Sequence, residues 1–392
     1  MSPQDPPVEA SHRLPDEARV FIAAIAFRVV TALVGFLANL LFPAYQDQGY
    51  TVFRERHPLW DAFARFDSGW YHGIAANGYE FVEGGRNNLA FFPLYPMLMR
   101  LGGRALGGRQ EEYYFAGIVV SWVSFGFAMM LLYRLARLHV GRDEALRSAV
   151  YAAVFPFAFF FGMVYSESLF LLCLVGAAYC LATRRWVLGA LAGAAMTATR
   201  VTGIMAVPGL ALIAWQAAGP GRAARVRALA AAAGCAGGFL AYSAFNYYAS
   251  GNPFAWYESI TRWSYQPGGN PAGALYGIAV ELTTRPYEFL TTERMAPYDT
   301  LNTAAALVTL GLTPLIATRL GAGYALIVIA TLLVPLSSGQ FEGLGRYCSV
   351  MFPVPILLAS YAGRVRHQAL VTASTMLYTL GLSLFVNVHP LF

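Results

Sequence analysis

The sequence predicts an all-α polytopic membrane protein with about eleven transmembrane helices. Three observations carry this. Of 392 residues, 57% are apolar and only 12% are charged, against roughly a quarter charged in ordinary soluble domains. The apolar residues fall in runs, several near the roughly 20 residues that carry a helix across a bilayer. The arginines, finally, gather in alternate connectors between those runs, as the positive-inside bias requires.

Residues 1–18 mix Pro, Asp, Glu and Arg and read as a short cytoplasmic tail, leaving 19–392 as one transmembrane domain. The first apolar run, about 20–42, is longer than a signal-peptide core and has no clear small-x-small cleavage site. It reads as an uncleaved first span. Arg28 lies inside it and is expected to snorkel to the near face. Further runs fall near 115–135, 148–164, 168–183, 186–199, 201–217, 228–249, 301–318, 322–336, 347–363 and 369–388.

With the N-terminus inside, the inner connectors hold Arg134, Arg137, Arg142 and Arg147, then Arg184 and Arg185, then Arg222, Arg225 and Arg227, and finally Arg319, Arg364 and Arg366. The inner side then carries 15 Arg against six acids, the outer side 12 Arg against 15. Two outer segments, about 43–114 and 250–300, exceed mere connectors. Their aromatic and Pro-rich stretches suggest structured loops or helices on the membrane surface, and loops of this length are where function tends to sit.

Composition excludes several classes. All 27 basic residues are Arg, so there is no Walker A lysine and no lysine for a Schiff base or pyridoxal phosphate. No Asp-x-Asp pair is present to hold a metal on a sugar nucleotide. The six histidines (12, 57, 72, 139, 367, 389) show no close ligand spacing, so neither metal nor cofactor is expected. The net charge of +6 reflects topology rather than nucleic-acid binding. Cys173, Cys180, Cys235 and Cys348 read as small buried apolar residues.

The densest chemistry lies in the first outer segment, from Arg65 through Asp67, Tyr71 and His72 to Tyr79. This stretch reads as one short helix, about Ser68 to Ala76, closed by Asn77-Gly78. Asp67 stands at its start, where the plainer reading is an N-cap. Asn88 and the Phe91-Phe92-Pro93-Leu94-Tyr95-Pro96 element follow, as a membrane-surface anchor or as a wall for a lipid-borne substrate. Glu167, in Tyr165-Ser166-Glu167-Ser168, and Arg200 fall at outer turns, and a structural ion pair is the plainer reading of the two. Arg346 follows Glu342 in the last outer turn.

Two carboxylates and two arginines on one face point to group transfer from an anionic, membrane-embedded donor. An arginine can hold a phosphate and stabilise it as it leaves. A carboxylate can take the proton of an attacking hydroxyl and favour the oxocarbenium-like state of glycosyl transfer. A transporter or flippase for a lipid-linked or anionic substrate, or a non-catalytic scaffold of a glycosylation complex, are the alternatives. The gathering of charges at one boundary favours an enzyme.

At Asp67 to Tyr79, Asn88 to Pro96, Tyr165 to Phe170, Thr199 to Gly203 and Arg346 to Pro353 the sequence resembles the PIG-V family. These are mannosyltransferases that add the second mannose in glycosylphosphatidylinositol assembly, together with their bacterial relatives. The resemblance implies a GT-C-like membrane glycosyltransferase with a structured first extracytoplasmic loop. It implies inverting transfer of mannose from a polyprenyl-phosphate mannose donor to a hydroxyl of a lipid-linked or cell-envelope acceptor on the extracytoplasmic face, with a glycolipid, a cell-wall glycan and a protein hydroxyl all open. Asp67 occupies the position of the catalytic base. Glu167, Arg200 and Arg346 follow as substrate-positioning groups, with Tyr71, His72 and Asn88 as further substrate-binding candidates; support of the loop is the plainer reading of His72 and Asn88. Membrane lipids are the expected surroundings, and the all-arginine composition and compact length point to a bacterial plasma membrane.

Overall fold

The structure, a computed structural model, describes residues 14–45, 57–82, 87–262, 269–291, 297–338 and 343–391. Most of the expected tail, stretches of both long outer segments and Glu342 lie outside the described residues. Among the described residues the chain is helical, with no strand.

Helix α1 (Asp16–Leu41) is apolar along its length and carries Asp16 and Glu17 in its first turn, where acids complement the helix dipole. These acids tie one end of the molecule together. Arg142 donates to Asp16 through Nε and Nη2, both at 2.6 Å, and the Tyr133 hydroxyl donates to it at 2.9 Å. Arg134 reaches Glu17 at 3.3 Å. The start of α1 therefore meets the end of α5 (Gln110–Ala136) and the start of α6 (Arg142–Ala153). Arginine-rich connectors further along the chain are tied in the same way: Arg147 donates to the Ala362 carbonyl, and Arg319 to the Tyr361 hydroxyl.

Among the described residues between α1 and α5, the first outer segment folds into three helices: α2 (Pro58–Asp61), α3 (Asp67–Asn77) and α4 (Leu94–Leu106). Helix α4 is amphipathic, burying Tyr95 and Met99 against α5 and exposing Leu101 and Leu106. Short apolar helices α7 (Glu167–Ala182), α8 (Trp186–Thr199) and α9 (Gly203–Ala218) follow, then α10 (Arg222–Gly234) and α11 (Gly237–Ser250), bent by 40° at their junction. The second outer segment contributes α12 (Ala255–Thr261), α13 (Pro271–Thr284) and α14 (Pro286–Thr291). The chain closes with α15 (Pro297–Gly311), α16 (Thr313–Arg319), α17 (Ala322–Ser337), α18 (Leu344–Ser349), α19 (Pro353–Ser360) and α20 (Arg364–Val386). Helices α9 and α17 cross at Gly209 and Gly323, where a Cβ on either would come within 3 Å of the other's carbonyl oxygen. Small residues allow this approach in apolar bundles.

Among the described residues, four helical stretches are long and apolar enough to cross a membrane: α1, α5, Thr300–Arg319 and α20, with the bent α10–α11 pair as a fifth. Helices α7, α8, α9 and α17 are apolar but shorter. Besides the bent 228–249 run, two further expected spans are divided at prolines. The 148–164 run ends as a helix at Ala153 and resumes as a 3-10 turn, Ala158–Gly162, beyond Pro156. The 347–363 run divides into α18 and α19 before Pro353. Proline lacks the donor, and its ring disfavours helix at the residue before it.

The first of these breaks corrects the expectation for Arg28. The side chain does not snorkel: it is fully buried. It donates through Nη1 to the Ala158 carbonyl at 3.0 Å and the Tyr378 hydroxyl at 3.2 Å, and through Nη2 to the Ala153 carbonyl at 3.3 Å. Its guanidinium lies 4.2 Å from the Phe125 ring centroid. A broken helix leaves carbonyls that no water can satisfy in an apolar layer, and Arg28 satisfies two of them. Arg28→Met keeps the stem and removes the donors. It is expected to lower stability by ~2–3 kcal/mol, measured as a fall in the thermal unfolding midpoint in detergent. Arg28→Lys should fall between the two.

Candidate functional site

Four segments far apart in sequence meet at the end of the bundle away from the Asp16–Arg142 cluster. The first is the turn into α3. Asp61 and Arg65 are both buried, with Arg65 Nη1 3.5 Å from Asp61 Oδ1. Arg65 also donates to Val386 O at 2.8 and 3.0 Å and to Asn39 Oδ1 at 3.1 Å. The base of this turn is thereby fixed to the ends of α1 and α20. Phe66 follows with φ 49° and ψ −111°, a strained conformation for a large side chain, and Asp67 is the first residue of α3.

Asp67 does not cap its own helix. Phe66 holds the cap position, and no side-chain cap bond forms there. The Asp67 carboxylate turns to Arg346 on α18 instead, with Nη1 to Oδ2 at 2.6 Å. Arg346 Nε lies 3.3 Å from Glu167 Oε1. Arg200, just beyond the end of α8, pairs with the same Oε1 through Nη1 and donates to Ser166 Oγ at 3.1 Å. The expected Glu167–Arg200 pair thus forms, and it is one half of a four-charge cluster. Glu167 is the first residue of α7; Ser166 holds the cap position, and its side chain makes no cap bond.

Burial sets the balance within the cluster. The Glu167 side chain is 1% exposed, both arginines 12%, and Asp67 24%. Burial alone would disfavour a charged Arg346, but the carboxylates of Asp67 and Glu167 outweigh it and hold the guanidinium pKa above its ordinary value. Burial also raises the Tyr71 phenol; Arg200 opposes this, while Glu167 and Asp67 reinforce it. Tyr71 therefore stays neutral, its hydroxyl 2.8 Å from Ser166 Oγ. Among the described residues, Arg200 makes its hydrogen bonds through Nη1 alone. Asp67 Oδ1 likewise makes none.

These groups border a cavity of about 190 Å³. Asp67, Tyr71, Arg200 and Arg346 form its polar side; Phe91, Phe92, Val201, Ile260 and Tyr347 are among its apolar walls. The Phe91-Phe92 element is therefore a wall of the cavity. It is held from behind by α11 and the second outer segment, where Phe92 packs on Tyr242 and Trp256 at ring-centroid distances of 4.7 and 6.0 Å. The Tyr242 hydroxyl donates to Leu89 O at 2.8 Å.

Glu167 adjoins the cavity through the two arginines. Two other candidates stand off from it. Asn88 closes the loop after α3, accepting from Glu80 N at 3.0 Å and donating to Gly78 O at 3.2 Å. His72 stacks on Tyr114 at 4.3 Å, and burial lowers its pKa, so it is neutral at pH 7. Neither lines the cavity. Sequence reasoning did not single out Ser166, Tyr347 or Ile260. Ser166 and Tyr347 stand next to Glu167 and Arg346, the one signal available for them. Ile260, in the second outer segment, had none.

Residues 18–218, just over half of the chain, match the family described as Mannosyltransferase (PIG-V). This span holds Asp67, Glu167 and Arg200 and stops short of Arg346. Among curated proteins nothing matches. The chain is similar in fold to ArnT from Cupriavidus metallidurans bound to undecaprenyl phosphate, with TM-score 0.50 and 13% identity over 94% of this chain and 76% of that one. The oligosaccharyltransferase of Archaeoglobus fulgidus in the apo form aligns with TM-score 0.45 and 10% identity over 92% of this chain. The chain spans 56% of the length of that oligosaccharyltransferase. The architecture is that of a GT-C integral membrane protein.

The shared carboxylate of Glu167 gives a stability test. Glu167→Gln leaves two buried guanidiniums facing one carboxylate and is expected to cost ~3 kcal/mol, measured by thermal unfolding in detergent. Adding Arg200→Met to that variant should recover about half of the loss. A double variant no more stable than Glu167→Gln would show that the pair does not act as a unit.

Proposed function

The chain belongs to the mannosyltransferase (PIG-V) family, and from that membership we propose that it transfers mannose from a polyprenyl-phosphate mannose donor to a hydroxyl of a lipid-linked or cell-envelope acceptor, with inversion at the anomeric carbon. The observation that carries this reading is the cavity itself. One carboxylate with an unoccupied oxygen, Asp67, and two guanidiniums, Arg200 and Arg346, face the same space. ArnT was crystallised with undecaprenyl phosphate bound, and a lipid phosphate is the kind of anion that two guanidiniums suit.

In this reading the donor phosphate lies against Arg200 and Arg346, and the acceptor hydroxyl lies against Asp67. The acceptor oxygen bonds to the anomeric carbon as its proton passes to the Asp67 carboxylate. The bond from that carbon to the phosphate oxygen breaks, and its electron pair stays on the departing lipid phosphate. The two guanidiniums stabilise the charge gained there, and the Asp67 carboxylate favours the positive charge that develops on the sugar ring. Glu167 holds both arginines in register, while Phe91, Phe92 and Tyr347 keep water from the reacting atoms. The arginine-rich connectors are tied at the opposite end of the bundle. This supports a cytoplasmic N-terminus and an extracytoplasmic site in a bacterial plasma membrane.

The test uses purified protein, labelled polyprenyl-phosphate mannose and a lipid extract of the source organism. Label should move into a new product whose mass identifies the acceptor. Asp67→Asn is expected to lower turnover by about 10³-fold while still binding donor, and unchanged turnover in a folded Asp67→Asn protein would remove the base assignment. Arg200→Ala and Arg346→Ala are each expected to weaken donor affinity by roughly 10- to 100-fold.

A further inference from the structure

Phe66 has the φ and ψ of the first central residue of a type II′ turn, a position that glycine takes and large side chains avoid. The turn is closed by the Ser68 N–H donating to Arg65 O at 3.1 Å. Nothing in a phenylalanine favours this conformation, so its surroundings must impose it. Arg65 anchors the residue before the turn from below, on Val386 and Asn39. One further group touches both sides of the turn: the Tyr165 hydroxyl donates to Arg65 O at 3.2 Å and accepts from Asp67 N–H at 3.3 Å. These are the peptide groups that flank Phe66.

Tyr165 is well placed to impose a geometry. Its side chain is fully buried, and its ring is packed between Phe160 at 5.0 Å and Phe385 at 5.8 Å. Its own carbonyl accepts from Ser121 Oγ at 3.1 Å, which ties it to the middle of α5. It does not line the cavity, so it is not placed to touch substrate. We propose that Tyr165 is a positioning residue: its hydroxyl clips the Arg65–Asp67 turn closed around the strained Phe66, and this aims the Asp67 carboxylate into the cavity beside Arg346. The kinetic consequence rests on the reading of Asp67 as the base; the clip itself does not.

The experiment is a double-mutant cycle on the full chain in detergent, comparing wild type, Tyr165→Phe, Phe66→Gly and the double variant. Tyr165→Phe keeps the ring that packs near Arg346 and removes only the hydroxyl. Glycine at 66 adopts the positive φ without strain and has less need of the clip. Tyr165→Phe is expected to lower kcat by about 10-fold or more, with the donor KM changed less than about two-fold, because a small misplacement of the base affects the chemical step. In the Phe66→Gly background the same change should lower kcat less than about three-fold. The thermal midpoint should follow the same pattern, with a larger fall for Tyr165→Phe when Phe66 is present.

Equal falls in midpoint in both backgrounds would overturn the proposal, as would, where Asp67→Asn abolishes turnover, a folded Tyr165→Phe protein with wild-type kcat or an equal loss of kcat in both backgrounds. If Tyr165→Phe fails to fold, recovery of folding by Phe66→Gly supports the clip, and failure of both variants overturns it. An active Asp67→Asn protein would remove the base reading alone, because the thermal cycle decides the clip by itself.

Discussion

Two guanidiniums and two carboxylates hold one another where none of them could stand alone. Removing an ion from water costs several kcal/mol even after relaxation, and Glu167 is almost wholly enclosed. Arg200 and Arg346 both reach the same oxygen of it, and Arg346 in turn carries Asp67. The cluster therefore behaves as one object. It fixes α3, the start of α7, the residue after α8, and α18 against one another, and the cavity is the space these four leave between them. Packing supplies the walls, but charge compensation decides which segments must meet.

That meeting requires irregular backbone, which an apolar surrounding tolerates only where polar side chains satisfy it. The pattern repeats through the molecule. Arg28 reaches from the middle of α1 to the carbonyls at the break after α6. Arg65 takes the Val386 carbonyl at the end of α20. Asn302 on α15 accepts from the Gly345 N–H at the start of α18 at 2.8 Å, directly before Arg346. Gly345 is itself closely fitted, since a Cβ there would lie 2.4 Å from the Phe157 ring. Two of these donors and acceptors stand on long regular helices, so regular parts of the fold hold the broken parts in place.

The fold class was legible because its signal is bulk composition: a chain this apolar, with runs near bilayer length, has few other ways to bury its backbone. The four central site residues were legible for a related reason. Charges are so sparse here that those falling at the outer turns stand out, as Asp67, Glu167, Arg200 and Arg346 did. Their pairing was not legible, because it depends on which turns lie side by side. Asp67 looked like a cap on local grounds and instead found a partner 279 residues away. Arg28 looked like a snorkelling residue because the break that needs its donors is in another part of the chain. Pro156 and Pro353 were in view, and the divided helices at those points follow from them. Phe66 gave no sign, since its conformation is imposed by neighbours and not chosen by its own side chain.

The separations along the chain also bear on how the molecule is made. Synthesis delivers residues from the N-terminus onward, so the cluster is assembled in sequence. Glu167 meets Arg200 only 33 residues later, within a single helical hairpin that can form as it leaves the ribosome. Asp67 must wait for Arg346, which is made 279 residues later. Until then Asp67 lacks this partner, and a short helix in a long loop between spans keeps it where water is within reach. A carboxylate buried in the first span would have had no such interval of safety. The position of Asp67 outside the long apolar helices thus suits the nascent chain as well as the finished one.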